Sequence, residues 1–205
     1  MLKPCTNRSS AKRSAILDAA QRCFLEHGFS STSMDMVAAT AGVSKATIYA
    51  HFDSKDELFG AIIQRRCDDH AQGLGTLAVD DSLDARAALT EIGRKLMSML
   101  CQPQVLGIYR MVLAEMPRHP DLARIYYDAG PGRGKERLVE IFDALVRRGL
   151  LSIPDTWQAM DQFVGMLRSD TYNRALLGLP LTERSNIERT IAGAVEVILR
   201  AYPPT

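Results

Sequence analysis

The sequence predicts an all-helical chain: a compact head of three short N-terminal helices, a fourth helix leading out of it, and a larger helical bundle, about nine helices in all. Three observations predict this. Apolar residues recur at helical spacing, as at Ile16, Ala20 and Phe24, and no run alternates apolar and polar residues as a strand would. Capping residues stand where the periodic runs begin, and glycines and prolines stand where they end. The apolar fraction, 46%, is enough to bury a sizeable core in 205 residues.

The first helix is expected from about Ser10 to His27, with Gly28 as its stop. Thr32 is placed to cap a second helix over Ser33 to Thr40, with Asp35 near its positive end. Gly42 breaks that helix, and Ser44 caps a third over Lys45 to Phe52. Ser54-Lys55-Asp56-Glu57 has the pattern of a capping box and opens the fourth helix, which carries Leu58, Phe59, Ile62 and Ile63. Beyond Gly73 and Gly75, Ser82 is placed to cap a helix to Cys101, and Pro103 opens another to Met116. Asp121 to Ala129 and Lys135 to Arg148 follow, separated by Gly130-Pro131-Gly132. Asp155 caps a long helix to Leu177, and Glu183 to Ala201 is the last.

Charge and cysteine usage exclude several classes. The net charge is +1, so no field of the whole chain points to nucleic acid, but residues 1–17 carry Lys3, Arg8, Lys12 and Arg13 and no acid. Such a basic arm can track phosphates or simply solubilise the terminus. The start MLKPCTNRSSAKR has no apolar signal core, and no stretch approaches the about 18–20 apolar residues of a membrane span, so a cytoplasmic protein without a membrane partner is expected. Cys5, Cys23, Cys67 and Cys101 are scattered, with no paired spacing and no histidine cluster, so no metal and no disulfide framework is expected, only free thiols. His27, His51, His70 and His119 are dispersed, and no nucleophile elbow, phosphate loop or dinucleotide fingerprint occurs, which argues against an enzyme and against a cofactor.

Residues 33–52, SMDMVAATAGVSKATIYAHF, carry the most specific signal. Val37 and Ala38 supply an inner face to one short helix, Gly42 a tight turn, and Val43, Ile48 and Phe52 the inner face of a second. Ser44, Lys45, Ala46, Thr47, Tyr49 and His51 are then turned outward. Small and hydrogen-bonding side chains suit a helix that enters a major groove about 12 Å wide, where Ser, Thr, Tyr and His reach phosphates and the Thr47 methyl can meet a thymine. The pattern is that of a helix-turn-helix.

The stretch from Thr32 to Leu58, with its Gly42-Val43-Ser44 turn, its Thr47-Ile48-Tyr49-Ala50-His51-Phe52 helix and its Ser54-Lys55-Asp56-Glu57-Leu58 start, resembles the DNA-binding head of the TetR family of regulators. The resemblance implies an operator-binding transcriptional regulator, normally a repressor, that acts as a homodimer and is released by a small-molecule effector. It divides the chain into an arm and DNA-binding domain, 1–57, and a regulatory, ligand-binding and dimerisation domain, 58–205. It places Thr32, Ser33, Ser44, Lys45, Ala46, Thr47, Tyr49, His51 and Lys55 near DNA, although Lys55 can equally belong to a capping network. Many members have Gly where Ala46 stands, so operator preference does not carry over. Leu106 to Pro120 and Tyr126 to Pro131 resemble the AefR-like branch, which names no ligand.

In the body, Tyr109, Arg110, Glu115, Trp157, Arg168 and Tyr172 interrupt apolar helix faces and are candidates for an effector pocket, with ordinary packing as the alternative. Phe163, Val164, Leu167, Ile187, Ile191, Val195 and Ile198 on the last two helices form either a two-fold interface with a second copy or a core within one chain. The resemblance favours the dimer. An architectural DNA-binding protein without a ligand, or a small helical enzyme, are the alternative functions.

Overall fold

The computed structural model describes residues 6–75 and 83–204, with side chains from Ser10 to Asp69 and from Leu83 onward. The arm residue Lys3, the thiol Cys5 and the expected cap Ser82 lie outside the described residues. Among the described residues there are eleven α-helices and no strand: α1 (Thr6–Ser31), α2 (Met34–Ala41), α3 (Lys45–Tyr49), α4 (Lys55–Gly75), α5 (Ala85–Leu100), α6 (Pro103–Glu115), α7 (Pro120–Tyr127), α8 (Arg133–Arg147), α9 (Thr156–Leu167), α10 (Asp170–Leu176) and α11 (Ile187–Ala201). No described helix is long and apolar enough to cross a membrane.

The expected boundaries hold with local corrections. α1 breaks at Gly28, where φ is +79°, and a further turn carries it to Ser31. The cap of α2 is Ser33, not Thr32: the Ser33 hydroxyl accepts from the Met36 N–H at 3.1 Å. Ser54 accepts from Glu57 N–H at 3.1 Å, and Glu57 reaches back to the Asp53 N–H at 2.7 Å, one residue beyond the usual partner of a capping box. Asp84 caps α5 through the Ala87 N–H at 2.7 Å. The helix expected from Asp155 to Leu177 is two helices, α9 and α10, because Ser169 and Asp170 at the joint favour helix starts over helix interiors. Between α7 and α8 the chain stays coiled through a π-helical turn, Asp128–Gly132, whose wider spacing accommodates the missing N–H of Pro131.

By packing, the chain forms two units, one of residues up to Arg66 with Gly107–Pro131, the other of Cys67–Leu106 with Gly132 to the C-terminus. In the first, Phe24, Phe29 and Phe59 meet with ring centroids 5.4–5.8 Å apart, one pair stacked and two edge-on. Ile16, Val37, Ile48 and Phe52 extend this core toward the helix-turn-helix, and Ile108, Met111, Val112 and Leu122 from α6 and α7 close its other side. α4 is tied to α1 by Arg65 on Asp18 at 2.6 Å and by Arg66 on the buried Gln21 at 3.0 Å.

The second unit buries Ile92 and Leu96 of α5, Phe142 and Leu145 of α8, Met160 of α9 and Ala194 of α11 in one cluster. Phe163, Leu167, Ile191, Val195 and Ile198 belong to that cluster too, with Val164 and Ile187 packed against it. Of the two readings of these faces, packing within one chain holds for Phe163, Leu167, Ile191, Val195 and Ile198, while Val164 and Ile187 stay partly exposed. Two facing apolar stripes on helices of one chain satisfy each other first, at no cost in association entropy.

Candidate nucleic-acid interface

The helix-turn-helix is built on three local devices. Ser33 caps α2. Gly42 has φ +66° and sends its N–H to the Ala38 and Ala39 carbonyls; a Cβ there would meet nothing within 4 Å, so the backbone angle alone calls for glycine. Ser44 caps α3 by accepting from the Thr47 N–H at 3.2 Å. α3 is five residues long, and a lone helix of that length would not hold. Ile48, fully buried, and Phe52, 1% exposed, pin it to the core.

Around that anchor Ser44, Lys45, Ala46 and Tyr49 are exposed, and Thr47 and His51 are half-buried. Tyr49 keeps 44% of its surface in solvent, an exposed aromatic with a hydroxyl at its tip. The Thr47 hydroxyl lies 2.8 Å from that of Ser44, so both belong to one small hydrogen-bonded group at the start of α3. Lys45 Nζ pairs with Asp35 in the first turn of α2, 2.9 Å from the carboxylate, and this neighbour holds the lysine pKa above its ordinary 10.5. Ser33 is exposed beside them. The Arg13 guanidinium, on α1, sits over the Phe52 ring at 5.1 Å.

Two of the residues expected near DNA are engaged inside the chain, Lys55 in the capping role that the sequence also allowed. Thr32 is 2% exposed, and its hydroxyl lies 2.8 Å from the Gly28 carbonyl and 3.1 Å from that of Cys23. It tethers the broken end of α1. Lys55 gives its three protons to the carbonyls of Phe29 at 2.7 Å, Thr32 at 3.0 Å and Ser30 at 3.4 Å, with its ammonium 4.4 Å from the Phe29 ring centroid. Burial pushes its pKa down. Here the lysine is a C-cap for α1. Of the residues expected near DNA, Ser33, Ser44, Lys45, Ala46 and Tyr49 are exposed and Thr47 and His51 half-buried.

The residues expected at an effector pocket divide between the units. Tyr109, Arg110 and Glu115 lie in the first unit, Trp157, Arg168 and Tyr172 in the second. Tyr109 packs on Tyr126 at 5.8 Å. Glu115 accepts from the Ser30 backbone at 3.2 Å and from the Ser30 hydroxyl, which also lies 3.1 Å from His119 Nε2. These bonds, together with the His119 and Arg118 charges, hold the Glu115 carboxyl below its ordinary 4.5. Arg168 donates to the Tyr172 hydroxyl at 3.2 Å and covers its ring, and Tyr172 is 5% exposed. Trp157 leaves 51% of its surface in solvent. Sequence reasoning missed Asp35 as a partner of Lys45 and Arg13 as a cover for Phe52. Neither pair lies at a helical spacing, so no periodicity signals them.

Comparison with known proteins agrees with this geometry. Residues 16–62 match the family model described as bacterial regulatory proteins, tetR family, and residues 87–204 match the AefR-like transcriptional repressor C-terminal domain. A crystal structure of a TetR-family transcriptional regulator from Mesorhizobium loti superposes with a TM-score of 0.81 at 29% identity, over 96% of this chain and 98% of that one. The flavonoid-responsive regulator FrrA superposes at 0.75 with 33% identity, over 94% of this chain and 97% of its own. The transcriptional activator FasR of Mycolicibacterium smegmatis is 41% identical over 63 residues, which is 31% of this chain and 29% of that protein. This chain thus spans less than a third of the length of that curated relative.

Proposed function

Because this chain belongs to the TetR family of bacterial transcriptional regulators, a family of regulators and not of enzymes, we propose that it is a ligand-released repressor that binds a palindromic operator as a homodimer. Residues 1–57 read DNA in this proposal, and residues 58–205 bind the effector and the second copy. The observation that carries it is the surface of α3: a fully buried Ile48 beneath exposed Ser44, Lys45, Ala46 and Tyr49. Thr47 reads bases with its methyl, and Ser44, Tyr49 and His51 hold phosphates. The basic Lys3 to Arg13 arm adds charge locally, since the net charge of +1 supplies none at long range. Two heads about 34–36 Å apart match one turn of DNA.

The second copy docks on the outer faces of α9 and α11. Their inner faces are spent in the core, and the exposed residues of the two helices include Trp157 and Gly165 on α9 and Gly193 and Val197 on α11, with Trp157 and Val197 each 51% exposed. An added Cβ at either glycine meets nothing within 4 Å, room for a close helix–helix approach. A half-exposed tryptophan is a common anchor of such contacts. A small molecule then acts by binding one head separation better than the other. The flavonoid response in the name of FrrA makes polycyclic phenols the first effectors to try.

Selecting bound sequences from a random duplex pool tests this reading, followed by release assays with a metabolite panel that includes flavonoids. The expected result is a palindrome with half-sites one turn apart, bound by a dimer in light scattering, and lost in W157R and V197R together with the dimer. A monomer that binds with unchanged affinity would overturn the dimer, and no enriched sequence would overturn operator reading.

A further inference from the structure

Asp35 poses a physical problem for a surface that approaches DNA. It is 61% exposed in the first turn of α2, close to the start of the reading helix, and duplex DNA presents a negative charge about every 1.7 Å. A carboxylate there repels phosphates unless something neutralises it. Lys45, 64% exposed, does so: its Nζ is 2.9 Å from both carboxylate oxygens. The pair links the first turn of α2 to the first residue of α3 across the turn at Gly42. The carboxylate also stands at the positive end of the α2 dipole. No other acid lies between Ser33 and His51, so this one stands alone on the helix-turn-helix.

We infer that Asp35 is a specificity-determining residue, which holds the Lys45 ammonium in the unbound protein so that Lys45 strengthens binding only where a duplex offers a better acceptor than the carboxylate. A free lysine binds every phosphate alike, and each phosphate it neutralises releases a counterion, whatever the sequence. A lysine already paired gains little from a randomly placed phosphate, because it exchanges one oxyanion for another. It gains where the docked register sets a guanine edge or a fixed phosphate within reach. An exposed pair is weak enough to open for such an exchange. The raised pKa of Lys45 fits an ammonium held by the carboxylate. Asp35 acts through Lys45 and touches no base; it is a positioning residue. The inference rests on the proposal that α3 faces DNA.

A double-mutant cycle on D35N and K45Q tests it, read by fluorescence anisotropy against a mixed-sequence duplex and against the duplex selected from the random pool, over a salt series. D35N should tighten mixed-sequence binding by about two- to five-fold for each head engaged. It should steepen the slope of log K against log salt by about 0.9 per head. The selected duplex should gain less, so the ratio of the two affinities falls. In the K45Q background D35N should change neither. K45Q alone, which leaves α2 untouched, should weaken selected binding and leave mixed-sequence binding within about two-fold. A D35N gain that persists without Lys45 would mean direct repulsion and would overturn the inference. So would an equal gain on both duplexes, no gain, or equal losses in K45Q. Wild-type protein that bound neither duplex would overturn this inference and the operator reading together.

Discussion

The start of α3 and the joint between α9 and α10 have similar polar inventories and opposite uses for them. At α3, Ser44, Lys45 and Tyr49 stand in solvent around a single buried isoleucine. At the α9–α10 joint, Tyr172 and Thr171 are buried, with the Tyr172 hydroxyl accepting from Arg168 at 3.2 Å and the Thr171 hydroxyl 2.6 Å from that of Thr190 on α11. A hydroxyl buried without a partner costs about 1–3 kcal/mol, so the packed region has to satisfy its polar groups internally. The surface of α3 leaves its own to water, where the proposed DNA contact would take them over. Residue type does not separate a contact surface from a helix joint; burial does.

The first way to break this comparison is to damage the support and spare the surface. Phe59→Ala removes a fully buried ring of the aromatic triad and should cost about 3–5 kcal/mol of unfolding free energy, taking DNA binding with it. Tyr49→Ala should leave stability within about 0.5 kcal/mol and still weaken DNA binding. Urea titration beside anisotropy separates the two; equal losses of stability would place Tyr49 in the core instead.

A subtler break sets two threonines against each other. Thr32→Val strips the tether from the end of α1 and should cost about 1–3 kcal/mol, with Lys55→Met in the same range for removing the ammonium from the part-buried Phe29 and Thr32 carbonyls. Thr47→Val, on the surface, should move the thermal midpoint little and change which operator bases are preferred. If Thr32→Val melted like the wild type, its buried hydroxyl would not be holding α1.

Tyr172→Phe sharpens the other half. Losing the Arg168 bond should cost about 1 kcal/mol and leave effector release unchanged. The opposite outcome, unchanged stability with a lost response, would return Tyr172 to an effector site.

The smallest effect is on acid stability. Bonds from Ser30 lower the Glu115 pKa in the folded chain below its ordinary 4.5. A depressed folded pKa contributes stability that is present above 4.5 and lost as pH falls through the folded value. The difference in urea midpoint between wild type and E115Q should therefore narrow below that pH. A constant difference down the acid range would mean that the carboxylate charge is not what ties α6 to Ser30.

Much of the fold was legible because caps, glycine stops and helical periodicity act within a few residues. Ser44, Ser54, Gly42 and Asp155 act where they were read, while Glu57 of the expected box takes the Asp53 N–H in place of that of Ser54. The family was legible for the same reason, in the run from Thr32 to Leu58. Inside that run the sequence made Thr32 and Lys55 look like Ser44 and Lys45, since each pair has the same chemistry within one motif. Their fates differ because the end of α1 folds back against α2 and the start of α4, burying Thr32 and placing three carbonyls around Lys55.

The sequence by itself determined the all-helical class, the helix-turn-helix and the residues that anchor it, Val37, Ile48 and Phe52, because local spacing sets which face of a short helix is apolar. Only the tertiary structure decided which polar residues of the head are exposed and which are engaged inside it. It also turned the apolar stripes of α9 and α11 inward, grouped α6 and α7 with the aromatic core of the head, and paired Lys45 with Asp35. Each of those outcomes depends on which distant segment arrives beside a given side chain, and burial, unlike periodicity, is a property of that meeting.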